Sequence, residues 1–244
     1  MLRNCCFAGL LALGLMACAP VTTERPGAAP GPALAIPAGA KQYRIVPEQS
    51  ELRVLVYREG ALASLGHNHV ISSHALSGVV GLTETMAGST LYLNLPVDSL
   101  EVDRPELRDA EGDDFPGHLD ASAVDGTRAN MLGEKLLNAA RYPMIEIHSR
   151  SIGGNLPDLT VRAGITVRDQ VALVDIPVRI SVDDDRLVAE GAFDLSHSQL
   201  GLEPFSVMLG ALAVRDVMHV KFHIVGRAEK ADGPSLLRDS AVVE

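Results

Sequence analysis

Residues 158–167 read DLTVRAGITV, and three residues later 171–182 read VALVDIPVRISV. In the first stretch Leu159, Val161, Ala163, Ile165 and Val167 share one side of an extended chain. In the second Val174, Ile176, Val178, Ile180 and Val182 do so, opposed by Asp175, Arg179 and Ser181. Successive side chains of a strand point to opposite faces, so strict alternation marks an antiparallel strand with one buried face. The polar link RDQ between the stretches fits a hairpin.

The same period extends outward in both directions. In residues 50–57, SELRVLVY, the apolar set is Leu52, Val54 and Val56. In 90–98, TLYLNLPVD, it is Leu91, Leu93, Leu95 and Val97, opposed by Tyr92, Asn94 and Asp98. In 216–225, DVMHVKFHIV, it is Met218, Val220, Phe222 and Ile224, opposed by His219, Lys221 and His223. Many such strands joined by polar or Gly-containing turns predict an all-β barrel or sandwich. One segment breaks the rhythm. Residues 128–141, RANMLGEKLLNAAR, are rich in helix formers, Met131, Leu132, Leu136 and Ala139 can share a face, and Pro143 follows. This predicts one short helix against the β body. The acidic, turn-rich stretch 103–126 before it is long for a compact domain and reads as a mobile loop or a functional lid with solvated carboxylates.

The N-terminus has a different character. MLRNCCFAGLLALGLMACAP opens with Arg3, runs apolar from Phe7 to Met16 and ends in small residues. That is the layout of a secretory signal and is too short for a spanning helix. Leu15-Met16-Ala17-Cys18 resembles a lipobox, with lipid on Cys18 and cleavage before it, so 1–17 is expected to be removed. The remaining cysteines, Cys5 and Cys6, would leave with the signal, and the mature chain would hold no thiol and no disulfide. Residues 18–40 are rich in Pro, Ala and Gly and cannot bury a core. They read as a tether spanning about 25 Å as a coil or about 70 Å as extended polyproline. A barrel domain is then expected over 41–230 and a C-terminal tail over 231–244.

The full chain carries 21 basic and 31 acidic side chains. Loss of residues 1–17 removes only Arg3 from this balance. Nucleic-acid binding needs a basic footprint and is not expected, nor is electrostatic attachment to anionic lipid.

The chain resembles the YceI-like family, lipocalin-like antiparallel barrels of about eight strands that bind polyisoprenoid lipids. The resemblance spans residues 43–228. It is carried by YRIVPEQSELRVLVY (43–57) with its P-x-x-S start, KLLNAARYPMIEIHS (135–149), LTVRAGITVRDQVALVDIPV (159–178), and FDLSHSQLGLEPFSV (193–207) followed by VRDVMHVKFHI (214–224). Two stretches depart from the pattern. VLVYREGALASLGHNHVI (54–71) replaces aromatic-rich early strands and resembles a sub-branch with a GHNH motif, and His197 replaces a common basic residue. Ala19 after the cysteine resembles outer-membrane lipoproteins of two-membrane hosts. The resemblance implies a periplasmic, lipid-anchored binding protein, not an enzyme, with no cofactor other than a bound isoprenoid lipid or quinone.

The residues leave three roles open. An eight-stranded barrel can enclose one small ligand or be filled by its own side chains, and periodicity does not separate these. If the lumen is open, Leu52, Val54, Val56, Leu91, Leu93, Leu95, Val161, Ile165, Val174, Ile176, Val178, Ile180, Phe193, Val220, Phe222 and Ile224 are the expected lipid contacts. A filled lumen would make a structural lipoprotein. The alternative site is His67 and His69, which on a strand would share a face and could hold a metal or haem with a third ligand from His74, His148 or His197. Ser64, Ser72 and Ser73 lie near histidines in sequence, but there is no nucleophile-elbow pattern.

The anchor is testable first. Two or more acyl chains hold a protein stably on a membrane where one does not. Cys18→Ala should move the protein from the membrane fraction to the soluble fraction in cell fractionation. Retention at the wild-type level would remove the lipoprotein reading.

Overall fold

The computed structural model describes residues 36–183 and 185–229. The signal, Cys18, most of the tether and the C-terminal tail lie outside the described residues. In chain order the strands are β1 (Lys41–Ile45), β2 (Glu51–Val56), β3 (Arg58–Glu59), β4 (His69–Ser73), β5 (Ser77–Leu82), β6 (Thr90–Pro96) and β7 (Glu101–Val102). Helices α1 (Pro105–Glu111) and α2 (Ala121–Leu132) follow. Then come β8 (Met144–Asn155), β9 (Asp158–Val167), β10 (Gln170–Asp183), β11 (Arg186–Ser196), β12 (Ser206–Val207), β13 (Leu212–Val214) and β14 (Val217–Ala228).

Eight strands close into an antiparallel ring, β1-β5-β6-β8-β9-β10-β11-β14 and back to β1. The expected hairpin is β9–β10, paired from Gln170 opposite Val167 to Arg179 opposite Asp158. Its alternation is kept. Ala172, Val174, Ile176, Val178 and Ile180 are buried, and Asp175 and Arg179 face out. Val182 keeps the period but is exposed, not buried as expected, one residue before the end of the strand. Outside the ring, His219 and His223 of β14 pair with Asp194 and Glu190, their cross-strand partners on β11.

The ring is closed only at one end. On the edge of β14 opposite β11, β1 pairs with Ala228–Gly226 and β2 with His223–His219, so β1 and β2 are one strand broken in the middle. The break is a 3-10 turn, Pro47–Gln49, followed by Ser50. The Ser50 side chain is buried and fills the ladder there. Its hydroxyl accepts from the Val225 N–H (3.0 Å) and donates to the Val46 carbonyl (2.8 Å). Ser50 is the last residue of the P-x-x-S start. The neighbouring strands break at the same level. Between β4 and β5, His74 Nδ1 donates to the Ser50 carbonyl (2.7 Å). Between β6 and β7, the turn Val97–Ser99 brings Ser99 Oγ to Ser73 Oγ (2.9 Å). Beyond the breaks β2, β4 and β7 continue as a flap from β14, and β7 ends the sheet without reaching β8. Close packing below the break is visible at Gly78 in β5. Its φ of +140° and the Tyr92 carbonyl, 2.0 Å from where a Cβ would stand, exclude any side chain.

The helical region differs from the expectation in three respects. There are two helices, not one. The second covers 121–132 instead of 128–141: Asp120 caps it by accepting from Ala123 N–H, and the chain leaves the helix at Gly133. Residues 133–142 are turns around Asn138, which has a left-handed φ of +48°, so the helix-forming composition there is overridden by local turn bonds. The 103–126 stretch is not a free loop, although most of its carboxylates are solvated as expected: Glu106, Asp109, Asp113, Asp114, Asp120 and Asp125 are exposed, whereas Asp103 is buried. Leu107 and Phe115 pack with Leu55 and Val70 into a second small core on the outside of β2 and β4. Glu111, 5% exposed, pairs with Arg53 (3.1 Å) and Lys221.

Ser50→Ala would leave the buried Val225 N–H without a partner, a desolvation cost of about 1–3 kcal/mol, while the Val46 carbonyl keeps the Gln49 N–H. Urea denaturation should show a loss of about 1–3 kcal/mol. A loss under about 0.5 kcal/mol would mean that the break does not depend on this hydroxyl.

Candidate functional site

The inward faces enclose a cavity of about 380 Å³. The ring and flap contribute Leu52, Val54 and Val56 from β2, Leu91, Leu93 and Leu95 from β6, and Val161 and Ile165 from β9. Ile176, Val178 and Ile180 of β10, Phe193 of β11, and Val220, Phe222 and Ile224 of β14 complete the set. Of the residues expected there, Val174 departs. It is buried in the same core but does not reach the cavity wall. The lumen is therefore not filled by its own side chains, and its volume lies in the range of small-molecule pockets, roughly 300–1,000 Å³.

Four polar side chains stand on the wall: His69, His197, Thr127 and Asn130. They share the end beyond the strand breaks. Val56 is paired with His69 and Leu55 with His219 there, and His197 follows the end of β11 where Ser196 meets Val217. Helix α2, which carries Thr127 and Asn130, packs on β7 beside them. Met131, Leu136 and Leu137 cover the gap between β7 and β8 from within. The rim of this end is apolar. A small sheet β12-β13-β3 stands over it, Phe205 and Val214 reach the cavity, and Leu65, Met208 and Leu209 are exposed nearby.

His69 is held by a buried network. Asp103 has a φ of +55°, a left-handed conformation that Asp tolerates better than most residues. This turns its carboxylate inward, where it is fully buried. Oδ2 meets His69 Nδ1 at 2.6 Å, and Oδ1 accepts from the Val70 N–H (2.9 Å) and from Arg108 (2.7 Å). Arg108, 1% exposed, also donates to the carbonyls of Asn68 (2.7 Å), Pro116 (3.2 Å) and Gly117 (3.1 Å). Burial alone raises the Asp103 carboxyl. The hydrogen bond and charge of His69, the Val70 amide and Arg108 outweigh it and hold the group below its ordinary value.

The GHNH motif is thereby resolved. Gly66 accepts from Arg58 through its carbonyl. Asn68 accepts from the Arg58 N–H (2.9 Å) and donates to the Asp114 carbonyl (2.8 Å). His69 opens β4. His67 does not lie on the strand as expected; it precedes β4 and is exposed, because Asn68 turns the chain toward β3 and the α1 segment. The two rings stand 6.4 Å apart, centre to centre. No group of three metal-ligating side chains exists among the described residues. His74 is bound to Ser50, His197 to the Asp216 carbonyl, and His148 lies against Tyr92. No Ser–His hydrogen bond joins Ser64, Ser72 or Ser73 to a histidine among the described residues. Ser73 meets Ser99, and the buried Ser72 hydroxyl has no partner there.

The fold has known counterparts. The crystal structure of BcnA from Burkholderia cenocepacia matches with a TM-score of 0.56 and 15% identity over 74% of this chain and 98% of that one. A polyisoprenoid binding domain from Saccharophagus degradans, implicated in plant cell wall breakdown, matches with a TM-score of 0.52 and 12% identity, over 77% and 98% of the two chains. A Campylobacter jejuni YCEI protein gives 0.47 at 7% identity over 64% and 82%. The first two likenesses are of fold, and that fold is the lipocalin-like barrel implied by the YceI-like resemblance. No family model matches the sequence, and no curated protein does.

Removing one partner of a buried ion pair leaves an uncompensated charge and costs about 3–5 kcal/mol. Asp103→Asn should lose stability on that scale at pH 7. Because the carboxyl is depressed in the fold, its contribution is complete above the ordinary value of 3.8. It is lost as pH falls from there through the native value. The gap between wild type and Asp103→Asn in urea denaturation should therefore be full at pH 7 and shrink below pH 3.8. A gap independent of pH would mean that the carboxylate charge is not what the network requires.

Proposed function

We propose that the protein binds an isoprenoid-type lipid, a polyprenyl chain or a quinone, inside the barrel. It acts as a carrier, store or buffer and not as an enzyme. The observation that carries this is the cavity itself, a volume walled mostly by Leu, Val, Ile and Phe. Such a wall gains free energy from apolar area at about 25 cal/mol per Å² and offers a charged metabolite almost nothing. The fold shared with a polyisoprenoid binding domain supports the choice of lipid class. We further propose that acylation of Cys18 holds the protein at the periplasmic face of the outer membrane, with the tether letting the barrel stand clear of the lipid surface.

Native mass spectrometry of the full-length protein, followed by lipid extraction, tests the binding. One polyprenyl or quinone mass per chain is expected. Val178→Asp puts a carboxylate into the wall between β9 and β11 and should abolish occupancy by desolvating an unpaired group. Arg179→Asp, on the outer face, should leave occupancy unchanged. Absence of any lipid, with no uptake of added prenol or quinone, would sink the proposal.

A further inference from the structure

Two imidazoles line the cavity, and the structure fixes the same nitrogen on each. His69 Nδ1 meets the Asp103 carboxylate at 2.6 Å, and His197 Nδ1 meets the Asp216 carbonyl at 2.9 Å. Both partners can only accept, so in each ring Nδ1 carries the proton. In a neutral imidazole the other nitrogen is then an acceptor, and tautomer choice of this kind is set by the hydrogen bond at the first nitrogen. Neither Nε2 has a hydrogen-bond partner among the described residues, although His197 is 4% exposed and the His69 ring is 16% exposed. Asp103 also pairs with the buried Arg108 guanidinium at 2.7 Å, which fixes the carboxylate against the His69 ring. The remaining polar groups on the wall are the Thr127 hydroxyl and the Asn130 amide, which can each donate or accept.

We propose that His69, positioned by Asp103 and Arg108, and His197 form a head-group receptor at the open end of the cavity that takes a hydroxyl donor. The inference rests on the lipid-binding reading above and deepens it. The ligand lies with its hydrocarbon among the aliphatic side chains and its polar end at this pair, its single hydroxyl proton donated to the His69 Nε2 lone pair. Its head is an alcohol or a phenol, as in a prenol or a reduced quinol. An ester, a quinone carbonyl or a phosphate dianion brings only acceptors to these two nitrogens and leaves the lone pairs unpaired.

Binding of four C20 probes to the full-length protein tests this: a prenol, its acetate, its phosphate and the matched hydrocarbon without a polar end. Measurements are made at pH 8. One net hydrogen bond corresponds to about tenfold in affinity. The prenol is expected to bind about tenfold more tightly than the hydrocarbon and the acetate. His69→Phe should remove that preference, so that the prenol binds no better than the hydrocarbon to the same variant. Equal binding of prenol and hydrocarbon overturns the receptor but leaves the lipid reading standing. Preference for the acetate or phosphate overturns the acceptor assignment. Failure of all four to bind overturns the lipid reading, and the receptor with it. Nitrogen-15 NMR of the wild-type imidazoles provides a readout that needs no variant. Unprotonated Nε2 signals that shift with prenol and not with hydrocarbon are expected. A protonated Nε2 in the ligand-free protein at pH 8 overturns the proposal.

Discussion

The broken ladder at Ser50 is the constraint on which the rest of the molecule depends. An eight-stranded ring of this composition could close along its whole length and fill with its own side chains. Here three neighbouring strands break at one level, and short polar side chains stand in for the missing backbone partners. Above that level the sheet runs β14-β2-β4-β7 and stops, leaving a gap to β8. The gap is covered by a helix and turns instead of strands, so the interior stays open and acquires an end that differs from the other.

That end has its own logic. The α1 segment is fastened to the outer face of β2 and β4 by an apolar contact, an ion pair with Glu111 and the buried Asp103–Arg108 pair. A buried ion pair is weak evidence for net stability, since desolvation offsets most of the attraction. Its value lies in geometry. Arg108 spends its donors on four different chain segments or groups, and Asp103 spends its two oxygens on a backbone amide, a guanidinium and an imidazole. The His69 ring is therefore fixed at the wall of an otherwise aliphatic lumen. The distribution of chemistry is one-sided as a result, with hydrocarbon contacts along the barrel and polar contacts at one rim.

Much of the barrel was legible in the sequence, and much of the polar end was not. Period two identified the inner faces of β2, β6, β9, β10 and β14 because a strand turns its side chains out and in strictly by residue, whatever its partners are. Val174 and Val182 escaped because their distance from the lumen depends on where the strand meets the ring, not on its period. The helix was misplaced because composition favoured 128–141, while the cap at Asp120 and the exit at Gly133 set the observed limits. Asp103 and Glu111 read as solvated with the other carboxylates of 103–126 because nothing local distinguishes them from Asp109 or Asp113, which are exposed. Burial of the first two comes from β4, β2 and β14, which are remote in sequence.

By itself the sequence determined an all-β antiparallel chain with apolar inner faces, since alternation is a property of single strands and survives without knowledge of pairing. The expectation of an N-terminal signal ending at Cys18 likewise comes from a linear pattern. Only the tertiary structure decided that the lumen is open, because a filled core and a cavity use the same residues and differ only in how far apart the walls stand. It also decided the meaning of the histidines. His67 and His69 looked equivalent two positions apart, but one reaches solvent and the other meets a carboxylate from 34 residues away, held by an arginine five residues further on. Such a network is made of long-range contacts, and no local pattern encodes which side chains a closed sheet will bring together.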